Sequence, residues 1–185
     1  MKKMYLVFLI AFCANIFTLA VTKAQAAERE GFFFGAAVGS GPMTLKEGHL
    51  DSENYTRFLV PNFKIGWMLN PRLAVFGFIP TGIFERNDEQ RAFEAIMPAA
   101  QYWVTEKFWV LGGVGVNLDF PVIGTDGEGF YTGPAACIGA GFEIWQRGRF
   151  VLDLQTRYQY GSADISDVGT RKMSGFDLLV GVNWY

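Results

Sequence analysis

The chain contains eight strand-length segments of alternating apolar residues, and the connections between them alternate between short and long. The short connections follow the second, fourth and sixth segments, and the long ones hold most of the intervening Gly, Asp, Glu and Ser residues. Eight strands with alternating short and long connections predict an antiparallel all-β fold with both chain ends on one side. The segments span approximately residues 32–40, 55–69, 73–83, 93–104, 108–118, 130–145, 150–160 and 173–185.

The two faces of these segments differ in composition, which decides the face that points inward. From Phe150 to Tyr160 one face is mostly apolar, and the other carries Asp153, Gln155 and Arg157, as a period of two requires. A soluble barrel would show this second face to water. In the sixth segment, however, that face consists of small residues and one acid, which suits a narrow lumen. Its members are Gly133, Ala135, Cys137, Gly139, Gly141 and Glu143.

All five tryptophans lie within a few residues of a short turn or of the C-terminus. An indole favours a membrane–water interface because its ring is apolar while its N–H requires a polar partner. We therefore predict an eight-stranded, up-and-down transmembrane β-barrel with an aromatic girdle at the level of the short turns. The charged fraction of 18% agrees, since soluble domains carry roughly 25%. The predicted girdle consists of Trp67, Trp103, Trp109, Trp145 and Trp184.

The first residues have the pattern of an export signal. Two lysines precede an apolar run over residues 4–21, and Ala24 and Ala26 provide the small residues that a signal peptidase recognises. We predict a cleaved signal peptide over residues 1–27 and one barrel domain over residues 28–185. The alternative is an uncleaved membrane anchor.

Removal of this leader changes the charge and the cysteine count. It takes away three of the 16 Lys and Arg residues and none of the 18 Asp and Glu residues, so the mature net charge is −5. A chain with this charge is not expected to bind nucleic acid. Cys137 is then the single cysteine, which excludes an internal disulfide.

Four prolines fall inside the predicted strands. Each removes a backbone donor from the hydrogen-bond ladder, so we expect bulges or interrupted pairing there and uncertain strand boundaries nearby. These residues are Pro61, Pro80, Pro98 and Pro134.

The leader, the eight segments and the ending over residues 177–185 together resemble a known family. This is the small outer-membrane β-barrel family, which includes the transmembrane domain of outer membrane protein A, its X-type relatives and the opacity-like porins. The ending is similar to the C-terminal assembly signal, although it closes on Trp184 and Tyr185 where the family usually closes on Phe. The resemblance implies a monomer that the barrel-assembly machinery inserts into the outer membrane, with periplasmic termini and with lipid and lipopolysaccharide as its surroundings.

Strand parity predicts a polar network inside the barrel. A buried unpaired charge is costly, so Lys64 and Arg157 should pair with acids of the same set. Such a network would fill the lumen, and the alternative is a narrow channel or a small-ligand carrier. The predicted network is Asn62, Lys64, Glu143, Asp153, Arg157 and Asp177, and parity adds Gln101, Asn117 and Gln155 to the inward face.

A set of basic residues lies at the ends of strands that adjoin long loops. Arg57 shares its parity with Tyr55 and Leu59, which predicts that it points outward, where a guanidinium can bind the phosphate of a lipopolysaccharide. The alternative is that these residues neutralise acids of the loops. The predicted lipopolysaccharide contacts are Arg57, Arg91, Arg171 and Lys172.

Residues typical of catalysis or of metal binding are sparse. His49, the only histidine, adjoins Asp51 and Ser52 in the first long loop, but the second long loop contains no serine. A lipid A-modifying acyl-transfer enzyme therefore ranks third. The segment 124–129 resembles part of a calcium-binding loop without the full ligand spacing. We expect a non-enzymatic envelope protein, structural or in surface contact, with no cofactor and no metal.

Overall fold

The computed structural model describes residues 29–86, 89–122, 129–165 and 169–185. The predicted signal peptide and most of the acidic segment 124–129 lie outside these residues. None of the described residues forms a helix that is long and apolar enough to cross a membrane.

Nine antiparallel strands build the described part of the chain. β3 and β4 occupy one position in the wall, between β2 and β5, because Pro80 interrupts a single path without changing its register. The strands are Gly31–Glu47 (β1), Glu53–Asn70 (β2), Leu73–Ile79 (β3), Thr81–Arg86 (β4), Glu89–Trp103 (β5), Phe108–Pro121 (β6), Tyr131–Arg147 (β7), Phe150–Ile165 (β8) and Gly169–Trp184 (β9).

The sheet closes on itself. With β3 and β4 counted as one position, each strand pairs with its neighbours in sequence, and β1 pairs with both β2 and β9. The wall therefore has eight positions, which confirms the predicted eight-stranded up-and-down barrel. Several strands extend further toward the long loops than predicted, since β1 continues to Glu47 and β9 begins at Gly169.

A bulge in β2 reverses the parity of that strand. Ala37 of β1 pairs with Asn62, but Gly39 pairs with Leu59, so Val60 and Pro61 together oppose a single residue. Arg57 and Leu59 therefore face inward on one side of the bulge, as Asn62 does on the other. This is the irregularity that Pro61 predicted.

The other strand prolines behave differently. Ala95 donates a backbone hydrogen bond of 3.0 Å to the carbonyl of Pro80, which keeps the interrupted strand attached to β5. Pro98 opposite Gly77 and Pro134 opposite Val116 lie in regular ladders without a register shift. On their other side the pairing is interrupted, as predicted: Pro98 has no pair on β6, and the pairing of β7 with β8 begins only at Ala135, next to Pro134.

The outward face of the wall is an apolar belt, and the inward face holds the polar residues. In β9, Phe176, Leu178 and Val180 are exposed, whereas the intervening Asp177 and Leu179 are buried. An apolar exterior around a polar lumen is the arrangement that a lipid bilayer requires of a barrel.

Candidate functional site in the barrel lumen

The lumen runs between two ends of the barrel that differ in their connections. We call turn end the end that holds both described chain termini and the short connections 71–72, 104–107 and 148–149. We call loop end the opposite end, which holds the connections near 48–52, 86–89, 122–130 and 165–169. Four clusters of polar side chains follow one another between these ends.

Glycines on the inward face make room for the large side chains of these clusters. A Cβ atom on Gly141 would lie 2.2 Å from the ring of Trp109, and one on Gly175 would lie 2.8 Å from the guanidinium of Arg57. Both distances are shorter than atoms tolerate. The small inward face predicted for β7 is therefore a steric requirement of the polar filling.

The turn-end cluster consists of Arg29, Trp103, Glu143 and Tyr185. Arg29 Nη2 donates to Glu143 Oε2 at 2.7 Å and to the backbone carbonyl of Glu106 at 2.6 Å. Trp103 Nε1 and the Tyr185 hydroxyl donate to Glu143 Oε1 at 2.7 Å and 3.2 Å. Residues near both ends of the described chain thus meet on one carboxylate inside the barrel.

Aromatic rings close the space around this carboxylate. The Tyr185 ring stacks on Phe33 with centroids 5.3 Å apart, and it meets the edge of Trp103 at 5.5 Å. The guanidinium carbon of Arg29 lies 4.7 Å from the centroid of the Trp103 ring, a cation–π distance. These rings fill the turn end of the lumen.

The girdle prediction was wrong for two of its five tryptophans. Trp103 and Trp109 are fully buried in the lumen, whereas Trp67 and Trp145 point outward and are more than half exposed, and Trp184 is partly exposed. Strand parity alone would have predicted that these two tryptophans point inward. Trp103 shares its parity with Gln101, and Trp109 shares its parity with Asn117, both of which were expected inside.

The Asp153 cluster is the second one from the turn end. Asp153 accepts hydrogen bonds from Trp109 Nε1 at 3.1 Å, from Asn183 Nδ2 at 2.8 Å and from Gln155 Nε2 at 2.8 Å. All three donors are uncharged, and all four side chains are buried.

Lys64 lies beside this cluster without an ion pair. Its Nζ donates to Gln101 Oε1 at 3.0 Å and lies 4.3 Å from the centroid of the Trp109 ring. The prediction that Lys64 pairs with an acid of the network was therefore wrong, whereas Arg157 does pair with one of its acids, Asp177. Neutral donors and the Arg29 guanidinium already occupy the carboxylates of Glu143 and Asp153.

The Asp177 cluster comes third. Arg57 binds Asp177 in a bidentate way, with Nε to Oδ1 at 2.9 Å and Nη2 to Oδ2 at 2.6 Å. Arg157 adds a weaker contact from Nη2 to Oδ2 at 3.4 Å. Arg57 is fully buried, so the prediction that it points outward to lipopolysaccharide was wrong. The bulge at Pro61 is the reason, because parity counted from Lys64 does not hold beyond it.

The loop-end cluster consists of Glu47, Arg86, Arg91, Asp119 and Arg171. Arg171 bridges the two acids, at 2.6 Å to Glu47 Oε1 and 2.5 Å to Asp119 Oδ2. Arg86 contacts Glu47 at 2.5 Å, and Arg91 contacts Asp119 at 2.9 Å. Buried apolar residues pack below them, namely Met43, Leu45, Phe84, Phe93 and Met173.

This cluster corrects two further predictions. Arg91 and Arg171 are buried and paired with acids, so they do not present guanidinium groups to lipopolysaccharide. Lys172, the neighbour of Arg171 on β9, is the member of the predicted set that is exposed. The alternative, that these residues neutralise acids of the loops, does not describe the other three members either, because their partners are the buried strand acids Asp177, Asp119 and Glu47.

The surroundings of Glu47 lower the pKa of its carboxyl group. Burial alone would raise the pKa of this carboxyl, but the hydrogen bonds and charges of Arg86 and Arg171 outweigh burial and lower the pKa below its ordinary value. Glu47 therefore stays ionised to a lower pH than a free glutamate.

Residues that would serve catalysis or metal binding do not converge. His49, Asp51 and Ser52 are all exposed in the loop between β1 and β2. Within the described ranges, no group of three or more His, Cys, Asp or Glu side chains could hold a metal ion.

Comparison with solved structures agrees with this architecture. Neisserial surface protein A matches with 18% identity and a TM-score of 0.58, over 84% of this chain and 99% of the other. Ail, the attachment invasion locus protein of Yersinia pestis, solved in complex with the heparin analogue sucrose octasulfate, matches with 17% identity and a TM-score of 0.54, over 83% and 99%. No family model and no curated protein matches the chain. The fold is that of small outer-membrane β-barrel proteins.

Proposed function

We propose that the chain is an integral outer-membrane protein with a non-enzymatic role: a closed barrel that supports the envelope and presents its long loops at the surface. The observation that carries this proposal is the filled lumen, in which four polar clusters succeed one another from the turn end to the loop end. An eight-stranded wall leaves space only for side chains, and here those side chains bind one another.

The proposed orientation puts the loop end outside the cell and the turn end in the periplasm, after cleavage of residues 1–27. Short turns on the periplasmic side and longer loops outside are the usual arrangement of such barrels. We also propose a monomer that the barrel-assembly machinery inserts through the ending over residues 177–185.

Conductance in planar lipid bilayers tests the closed lumen. The refolded protein should insert without stepwise current, because the clusters leave no continuous aqueous path. Detergent without protein provides the baseline. Reproducible unitary steps would contradict the proposal and favour a narrow channel.

Cysteine labelling in whole cells tests the orientation. His49→Cys lies in an exposed loop at the loop end, and Glu106→Cys lies in an exposed turn at the turn end. An impermeant maleimide should label the first variant in intact cells and the second only after the outer membrane is opened. Labelling of Glu106→Cys in intact cells would reverse the proposed topology.

Lipid contact at the loop end is proposed for Lys172. Its side chain is exposed on the outward face of β9, where an ammonium group can reach a phosphate. Lys172→Ala should reduce the lipopolysaccharide that copurifies with the protein, whereas Arg72→Ala, a change of an exposed cation at the turn end, should leave it unchanged. Equal retention in both variants and the wild type would remove Lys172 from the proposal.

Binding of a sulfated polysaccharide, which the Ail complex raises, is not carried over to this chain. Arg86, Arg91 and Arg171 at the loop end are engaged by Glu47 and Asp119. Guanidinium groups that are already paired offer little to an external polyanion.

A further inference from the structure

The turn end of the barrel carries more positive than negative charge outside the lumen. Among the described side chains at this end, four exposed or partly exposed ones are cationic, whereas Glu30 and Glu106 are acidic. An excess of one sign attracts partners of the opposite sign. The cationic side chains are those of Arg72, Lys107, Arg147 and Arg149.

Arg147, the last residue of β7, differs from the arginines of the lumen in its contacts. Its guanidinium has no ion pair and no hydrogen bond with any described residue. Arg149, on the other side of the same turn, reaches the exposed Glu30 only at 3.5 Å. A surface contact of this kind contributes little. Both guanidinium groups can therefore bind an anion from outside the chain.

A bulge in β7 points Arg147 away from the lumen. Glu143 pairs with Asp153, but Trp145 pairs with Leu152, so the residue between them on β7 has no partner of its own on β8. Regular alternation from the inward Glu143 would have turned both Trp145 and Arg147 into the lumen. Instead both are exposed on the outside of the wall, since a bulge redirects the side chains that follow it.

An apolar cleft of about 330 Å³ lies beside Arg147 on the outside of the wall. Trp145, Phe150 and Val182 line it, and each of these three side chains is about half exposed. A cleft of this kind, with a cation at its border, matches an amphiphile that has an anionic head and an acyl chain.

A second cation lies on the far side of Phe150. Phe150 pairs with Arg147 of β7 on one side and with Trp184 of β9 on the other. The guanidinium carbon of Arg149 lies 5.3 Å from the centroid of the Trp184 ring. Tryptophans of this outward kind mark the membrane–water interface, which is the level of lipid head groups.

We propose that this cleft binds one anionic glycerophospholipid from the leaflet at the turn end. Its phosphate accepts hydrogen bonds from Arg147, and the first part of an acyl chain packs against Trp145, Phe150 and Val182. Arg149 adds a second positive charge near the head group. The inference rests on the proposed insertion of the barrel in a membrane, but it holds for either orientation of the barrel.

Native mass spectrometry of the refolded protein tests this site. The protein is released from mixed micelles that contain equal amounts of phosphatidylglycerol and phosphatidylcholine with the same acyl chains. The wild type should retain phosphatidylglycerol over phosphatidylcholine by roughly fivefold, the effect of one cation at an anionic lipid surface. Arg147→Gln should lose most of this preference. Arg72→Gln removes an exposed cation at the same end but away from the cleft, and it should keep the preference.

A cleft-filling variant separates the cleft from the charge. Val182→Phe leaves both arginines in place but occupies the space for the acyl chain, so it should retain less phosphatidylglycerol than the wild type. Circular dichroism checks that each variant is folded.

Three results would overturn the proposal. The first is equal retention of the two lipids by the wild type. The second is an equal loss of preference in Arg147→Gln and Arg72→Gln, which would indicate diffuse attraction to the whole turn end. The third is undiminished retention in Val182→Phe. None of them depends on the orientation of the barrel or on whether the lumen conducts, so they are distinct from a failure of the proposed function.

Discussion

The two halves of the lumen satisfy their carboxylates in different ways. In the turn-end half, Glu143 and Asp153 receive most of their hydrogen bonds from indole, phenol and amide groups, and a single guanidinium takes part. In the loop-end half, Glu47, Asp119 and Asp177 meet arginines almost exclusively.

This difference sets the charge balance of each half. Neutral donors fix a carboxylate without adding charge, so Arg29 and Lys64 suffice to balance the two acids of the turn-end half. The loop-end half buries four arginines against three acids, and Arg86 adds a fifth cation at the rim. The turn-end half is therefore balanced in charge, whereas the loop-end half holds more buried guanidinium groups than buried carboxylates.

Removal of Asp177 should have the largest effect on stability. Asp177→Ala leaves the fully buried Arg57 without its bidentate partner and Arg157 without its ion pair. We expect a loss of about 3–5 kcal/mol in the free energy of unfolding, the usual cost of an uncompensated buried charge. Urea unfolding in detergent measures it.

A second substitution at the same position separates the contribution of the Asp177 charge from that of its shape. Asp177→Asn keeps the shape and removes the charge, so it should recover only part of the loss. Full recovery would mean that packing around residue 177, and not charge, holds the loop-end half together.

Removal of Glu143 tests the neutral-donor half and should cost less. Glu143→Leu leaves Trp103 Nε1 and the Tyr185 hydroxyl without their acceptor, whereas Arg29, next to the described end of the chain, can turn toward solvent. We expect a loss of about 2–3 kcal/mol in unfolding free energy, from two stranded donors. A loss as large as that of Asp177→Ala would erase the distinction between the two halves.

The two kinds of tryptophan give a sharper comparison within one residue type. Trp103→Phe removes the indole N–H that binds Glu143, and we expect a cost of about 1–3 kcal/mol in unfolding free energy. Trp67→Phe changes an outward ring at the same end and should cost well under half as much. Equal costs in the same urea titration would indicate that the buried hydrogen bond contributes little.

The sequence predicted the barrel, its strand number and the inward position of nine polar residues, because a period of two is a local property of each strand. It failed where parity was interrupted or overruled. The bulge at Pro61 turned Arg57 inward, and the expectation of a tryptophan girdle overrode the parity that places Trp103 inside. The sequence also could not predict which residues form ion pairs across the lumen. Arg57 and Asp177 are 120 residues apart, and parity alone does not set their relative positions along the barrel axis.

The smallest expected effect is a pH dependence at the loop end. The pKa of Glu47 is lowered in the folded state by Arg86 and Arg171, so its ion pairs stabilise the barrel above the ordinary pKa of a glutamate, about 4.3. This contribution is lost as the pH falls through the lowered folded-state value. The difference in urea midpoint between the wild type and Glu47→Gln should therefore be constant near neutral pH and shrink below about pH 4. A difference that grows on acidification would mean that the ionised carboxylate of Glu47 is not what stabilises the folded state at this position.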